Sequence, residues 1–482
     1  MQDSHHVIAV GGSGQHISLM LTRLAILGCI PKTTATIIDA DAGTPVPAAL
    51  MKAGGLAGAR LHPLGINKIL PPCDLSKVQG KYFRDLFLDG AVAQEEKALF
   101  DVLFDTKMAE TKIDEGMFGR PSVGSCVFAD GATEALKGEL EQKAASATNL
   151  YVCGSIAGGT GAGILRGLIH QIKKTAFNAN LYGIFLMPWF DLPPGGVVDS
   201  SVMQLNALHG LDQLFSYILP RLTRGLLLGG PEGEGLGSTF LVKGNEEARS
   251  LVPFAAAFSM YTVAKGAADE RQLYALVQGA KGSRDETWFL RQRLPDGARL
   301  ASAVGSLHDA IIANRIALQY LKALIEHRTV IHQFYFGSLG IFGVGNRVGP
   351  HFRRLMEGTQ SASRGDLFEG LMDGLVRHQN AIEFALDGIV LGPGAVFEPV
   401  RQYVEDSGNI GSEILAQAWR ESSDGLPKDA LNARFDPWLG SAGVAIPSMD
   451  PSRSARVQGE ALSEAIVNAI VAGILGKPLV AA

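Results

Sequence analysis

Residues 151–163 read YVCGSIAGGTGAG, and this stretch decides the fold. Tyr151, Val152 and Cys153 are apolar and strand-like, and glycines follow at 154, 158, 159, 161 and 163 around Thr160. The next residues, ILRGLIHQIKK, place Ile164, Leu165, Leu168, Ile169 and Ile172 at helical spacing. The pattern is strand, glycine loop, helix. Glycine takes positive φ and lets a ligand approach the backbone, while a helix start offers unpaired N–H groups and the positive end of a dipole. A phosphate fits such a site best, and Gly159 is expected to be bare so that backbone can meet it. The plainer alternative is a tight turn that binds nothing, against which the number of glycines argues.

The chain begins with the same pattern. Residues 6–10 form a short apolar strand that runs into Gly11, Gly12, Ser13, Gly14, Gln15 and His16. The segment ISLMLTRLAILG then repeats apolar residues with a helical period and stops at Gly28. After Pro31, residues 35–38 make another strand, which ends in Asp39, Ala40 and Asp41. A β-α-β unit of this kind implies parallel strands, a right-handed crossover and ligands at the carboxyl ends of the strands. A dinucleotide fingerprint is a competing reading, with Asp39 or Asp41 as the ribose ligand. Ile17, however, stands where its third glycine belongs, and neither glycine run ends as a Walker loop does.

Between and beyond these units the signals vary. Residues 45–115 read as inserted helices and loops. GRPSVG, residues 119–124, is a turn leading into a helix, with Arg120 either a phosphate contact or a solvated loop residue. Residues 181–188 form an apolar strand, WFDLPP at 189–194 a stiff loop, and residues 201–219 a helix. A glycine-rich surface loop is expected over 225–238, a short strand over 239–242, the turn KGNEE at 243–247 and a long apolar helix after it. Past Gly266 the chain changes character, with helices over 309–327 and 366–387, a strand pair over 330–342, and a strand or loop over 396–404. His327, His332, His351 and His378 are too scattered to suggest a metal site.

Composition sets outer limits. A chain of 482 residues has room for about two to four domains. With 46% hydrophobic and 19% charged residues it can bury a sizeable core, and a net charge of −5 gives no basic field to recruit nucleic acid. The cysteines at 29, 73, 126 and 153 are far apart, as expected of reduced thiols in a cytoplasmic protein, and the start lacks the pattern of a secretory signal. No apolar run reaches the ~18 residues of a spanning helix. Residues 465–476 come nearest, and read as a packed terminal helix or as one lying on a membrane surface.

Taken in order, these pieces resemble the tubulin and FtsZ superfamily, and the divergent bacterial tubulin-like proteins in particular. GGSGQH stands where that family has GGxGxN or GQxGxQ, and Ile38, Asp39, Ala40 and Asp41 stand at its NTDA-like turn. Arg120, Pro121, Ser122, Val123 and Gly124 occupy the place of N-P-E-x-G. Ala157, Gly158, Gly159, Thr160, Gly161, Ala162 and Gly163 match GGGTG[ST]G. Residues 187–194, including Asp191, resemble the proline-bearing ribose loop, and Gly244, Asn245 and Glu246 the asparagine before the central helix.

The resemblance implies an α/β fold. A Rossmann-like parallel-sheet GTPase domain would span 1–245, a central core helix 246–266 and a second α+β domain 267–482. It also implies a guanine nucleotide, GTP or GDP, on Gly11, Gly12, Ser13, Gly14, Gln15, Asp41, Arg120, Pro121, Ala157, Gly158, Gly159, Thr160, Gly161, Asp191 and Asn245. Asn245 would read the base, since an amide both donates and accepts. Mg2+ is expected near Asp41 and Thr160, because hard cations prefer oxygen ligands. Head-to-tail filaments with hydrolysis completed between subunits would follow. The acidic NxDxxD loop that performs hydrolysis in the family is not found; Asp269, Glu270, Asp285 and Glu286 stand in no matching frame. Two other functions therefore stay open, a non-polymerising nucleotide sensor or scaffold and a Rossmann-type oxidoreductase using NAD(P).

Overall fold

The structure, a computed structural model, describes residues 5–28, 33–40, 65–70, 81–90, 92–129, 138, 140–142, 147–175, 179–188, 200–222, 224–228, 364–387 and 453–475, with isolated helical positions within 256–260 and 310–328. Contacts divide the chain into two compact units, one of Met1–Leu21, Ile30–Lys52 and Leu64–Asp296, the other of Thr22–Cys29, Ala53–Pro63 and Gly297–Ala482.

The first unit is built on a six-stranded sheet. Its strands are β1 (His5–Val10), β2 (Thr33–Ile38), β3 (Gly65–Leu70), β4 (Asn149–Ser155), β5 (Asn180–Leu186) and β6 (Arg224–Leu228). They lie in the order β3-β2-β1-β4-β5-β6, and all five pairings are parallel. Every residue of β1 and β4 is buried, which is why both read as unbroken apolar runs rather than alternating ones. The α/β class expected from the sequence is the class observed.

Helices cover the sheet. Helix α1 (Gly11–Ile26) joins β1 to β2, and α2 (Gln94–Leu103) and α3 (Pro121–Ala129) lie in the long segment before β4. Helix α4 (Gly159–Thr175) joins β4 to β5, and α5 (Ser200–Gln213) precedes β6, ending in a π turn at Leu214–Ile218 and a 3-10 turn at Leu219–Arg221. Strand order reverses beside β1, so right-handed crossovers put α1 and α4 on opposite faces of the sheet. The packing agrees: Ile8 and Val10 share a core with Ile164, Leu165, Leu168 and Ile169 of α4, while Ala9, on the other pleat, meets Gly14 of α1.

Several expectations are corrected. β3 lies inside the stretch read as helices and loops, and β6 occupies the start of the stretch read as a glycine-rich loop. The expected strand at 239–242 and the loops at 189–194 and 243–247 lie outside the described residues. Of the expected central helix, Ala256, Ala257 and Met260 are described, and they are helical and buried. The largest correction concerns the glycine runs. α1 starts at Gly11, directly after β1, and α4 starts at Gly159, so most of those glycines lie in the first turns of helices rather than in loops. Glycine is about 1 kcal/mol worse than alanine inside a helix, and close packing outweighs that preference here.

In the second unit, α6 (Arg364–Asp387) packs along α7 (Ala455–Leu475). The fit depends on small residues: a Cβ on Gly370 would stand 2.0 Å from Arg456 O, and one on Gly459 2.2 Å from Leu367 O. Around this crossing Leu367, Leu371 and Leu375 of α6 are buried, as are Leu462, Ile466 and Val467 of α7. The apolar terminal stretch is thus a packed helix. Among the described residues no helix is long and apolar enough to cross a membrane. Exposed ion pairs, Arg377 with Glu460 at 3.0 Å and Arg456 with Asp373, flank the contact and add little to it.

Gly370→Ala should therefore destabilise this unit by about 3 kcal/mol through overpacking. Gly365→Ala, on the same helix with no atom within 4 Å of the new Cβ, should not. Circular dichroism melts of the two variants check the contrast.

Candidate functional site

The carboxyl ends of β1 and β4 are neighbours, Val10 lying opposite Gly154, and each strand passes almost at once into a helix. This is the point at which the strand order reverses, where open parallel sheets bind their ligands. A cleft holding about 320 Å³ of space free of protein atoms, part of it open to solvent, lies there. Gly11, Gly12 and Ser13 form one side, and Ser155, Gly158, Gly159, Thr160 and Gly161 the other. The two glycine segments, nearly 150 residues apart in sequence, thus converge on one space.

The turn before α4 is made by local bonds. Ala157 N donates to Ser155 Oγ at 3.1 Å, Ile156 N to Leu186 O at 3.0 Å, and Ala162 N to Gly158 O at 3.0 Å. Gly158 thus stands at the cap, where its carbonyl accepts the first helical bond, and the N–H groups of the following turn have no acceptor within the helix. The positive dipole ends of α1 and α4 meet at the cleft.

The glycines divide into two kinds. A Cβ on Gly161 would stand 2.4 Å from Ser155 O, and one on Gly163 2.4 Å from Pro121 O. One on Gly14 would reach the Ala9 backbone at 2.8 Å. These positions are bare so that helix can lie on strand and α3 on α4. Gly159 belongs with them: its Cβ would meet Met117 Cβ at 2.7 Å and Arg120 N at 2.8 Å, so it is bare for packing, not for a phosphate. Gly12 is different, since nothing lies within 4 Å of its Cβ direction, and Gly158 meets only ordinary contacts at 3.8 Å or more. Gly11 has φ +69°, a left-handed backbone that lets β1 turn straight into α1.

Beneath the cleft lies a buried carboxylate. Asp39, just past β2, accepts a bond from Gln15 Nε2 of α1 at 2.5 Å and one from Thr160 Oγ1 of α4 at 3.5 Å. Gln15 is fully buried, and its Oε1 has no hydrogen-bond partner among the described residues. On β4, burial alone pushes the Cys153 thiol far above the ordinary thiol range, and on α3 partial burial raises that of Cys126. Both stay protonated and unreactive near neutral pH.

The third wall was not legible in the sequence. Met117 and Phe118 line the cleft, and Phe118 has φ +41°, between Gly116 at +108° and Gly119 at +70°. Asn206 of α5 donates to Gly119 O at 2.5 Å and to Ala157 O at 3.2 Å, so it holds this wall and the second glycine segment together. No motif announces Asn206; an isolated amide within a helix carries no signal of its own.

Of the residues singled out in the sequence, Gly11, Gly12, Ser13, Gly158, Gly159, Thr160 and Gly161 face the cleft. Gly14 and Gln15 face inward, and Ala157 is fully buried behind the turn. Pro121 opens α3, and the Arg120 guanidinium is engaged by Thr111 Oγ1. Asp41, Asp191 and Asn245 lie outside the described residues. Among the described residues no group of three or more His, Cys, Asp or Glu side chains forms a metal site.

Residues 123–263 match the family model described as "Tubulin like". That segment is similar to the tubulin-like family. The matched span runs from α3 through α4, β5 and β6, so it contains the second glycine segment, while the first lies before it. Among solved structures the chain is similar to CetZ2 from Haloferax volcanii, described as a GTPγS-bound protofilament. Identity is 14%, the TM-score is 0.32, and the match covers 54% of this chain and 58% of that one. No curated protein matches the sequence.

The division of glycines gives a paired prediction. Gly161→Ala should lower stability by about 2 kcal/mol or more, because the obstacle is backbone that cannot step aside, whereas Gly12→Ala should leave it within about 0.5 kcal/mol. Urea unfolding of both variants reads the difference.

Proposed function

We propose that the chain binds a guanine nucleotide in the manner of tubulin and FtsZ, with its phosphates in the cleft between the first turns of α1 and α4. The convergence of two helix N-termini on open glycine backbone carries the reading. A polyanion set there gains N–H donors and two aligned dipoles without any basic side chain, and Ser13 and Thr160 supply further hydroxyls. The bare edge at Gly12 and Gly158 gives phosphate oxygens room to approach the main chain.

The finer parts of the reading come from the family resemblance. Asn245 would read the guanine edge, Asp191 would belong to the ribose loop, and Asp41 and Thr160 would hold a Mg2+ whose charge would offset that of the phosphates. The buried Asp39 carboxyl group, which accepts a bond from Thr160 Oγ1, adds oxygen atoms close to one of these residues. Head-to-tail self-association, with hydrolysis of GTP completed at the contact, is the activity that would follow. An NAD-dependent reading is less well supported, because a fully buried Ile17 stands at the place of the third fingerprint glycine.

A thermal-shift panel of GTP, GDP, ATP and NAD with Mg2+ tests the assignment, since a ligand that binds only the folded state raises its melting temperature. GTP and GDP should raise it and NAD should not. Gly12→Asp, which adds a carboxylate at a cleft-lining residue whose Cβ would meet nothing within 4 Å, should weaken GTP binding at least about tenfold with little change in the melting temperature of the free protein. Stabilisation by NAD alone would point to dinucleotide chemistry instead.

A further inference from the structure

We propose that Phe118 sets how long a phosphate chain the cleft accepts, an inference that rests on the nucleotide reading above. The walls contributed by α1 and α4 are glycine backbone and hydroxyls, whereas the wall at 117–118 is apolar. Met117 is almost wholly buried, so the half-buried Phe118 is its more accessible side chain. Among the described residues Phe118 is the one non-glycine with a left-handed backbone.

A phenylalanine is a poor occupant of that conformation, and a strained residue persists only where its surroundings over-determine it. The anchors are on both sides. Arg120 N donates to Met117 O at 2.8 Å, the Arg120 side chain to Thr111 Oγ1, and Asn206 to Gly119 O at 2.5 Å. Met117 itself packs against the bare Cα of Gly159. The loop is pinned while the residue at its tip faces the cleft.

An aromatic side chain offers phosphate oxygens no donor, and it displaces the water that would otherwise solvate them. The polar cradle therefore ends at Phe118. A phosphate chain that extends toward this wall presses its last charged group against a hydrocarbon surface, and a shorter chain does not.

The test compares GDP with a non-hydrolysable GTP analogue by isothermal titration calorimetry, on the full chain with Mg2+. Phe118→Gly and Phe118→Asn remove the ring and suit a left-handed backbone, so both should fold, and Phe118→Leu keeps an apolar side chain of similar reach. The wild type and Phe118→Leu should bind GDP about tenfold more tightly than the triphosphate, and the Gly and Asn variants should bring the two within about threefold by strengthening the triphosphate. A wild type that binds both nucleotides equally, or Gly and Asn variants that keep its preference, would overturn this role for Phe118 and leave the nucleotide site standing. If no variant binds either nucleotide, the site assignment falls and this inference with it.

Discussion

The first turn of α4 is hemmed in on three sides by main chain. Gly159 lies against Met117 and Arg120 N, Gly161 against Ser155 O, and Gly163 against Pro121 O and Ser125 N, each within 3 Å of where a Cβ would stand. Ser125 Oγ adds a bond to Gly163 O at 2.8 Å. Gly124, whose own Cβ would reach Gly159 O at 2.6 Å, completes the contact from α3. No larger residue permits this approach, and without it β4 could not feed straight into a helix whose start faces the end of β1. The position of the cleft, the course of the 116–119 wall and the meeting of α3 with α4 follow from that one steric condition.

Charge completes what sterics begin. Two helix N-termini aimed at one point would repel each other through their dipoles, and the buried Asp39 carboxylate sits where it can answer both. It also ties β2 to the site, so three adjacent strands, β2, β1 and β4, contribute at their carboxyl ends.

The sequence made the frame readable and obscured the details, for identifiable reasons. β1, β4 and β5 are buried on both faces, so their apolar runs stood out, and Ile164, Leu165, Leu168 and Ile169 gave α4 its helical period. β3 escaped because GINKIL carries a lysine and an asparagine among few apolar residues, and β6 because Gly225 and the glycines after Leu228 resemble a loop. Glycine misled in a second way. Its presence marked the right place, but it does not reveal whether the missing side chain makes room for protein or for ligand. Gly12 and Gly159 look alike in sequence and have opposite surroundings. The apolar wall and Asn206 act through tertiary contacts that no local pattern encodes.

Asn206 spends both amide hydrogens of Nδ2 on carbonyls from two separate walls of the cleft. One turn further along, Gly210 presses on Ile156 O, so α5 is fixed to the strand-to-helix turn at two levels. A lateral shift of that helix cannot loosen one wall and spare the other. The outer side of the same helix carries Val202, Leu205 and Leu208 exposed to solvent. Whatever displaces α5 from outside therefore acts as a single lever on the width of the cavity.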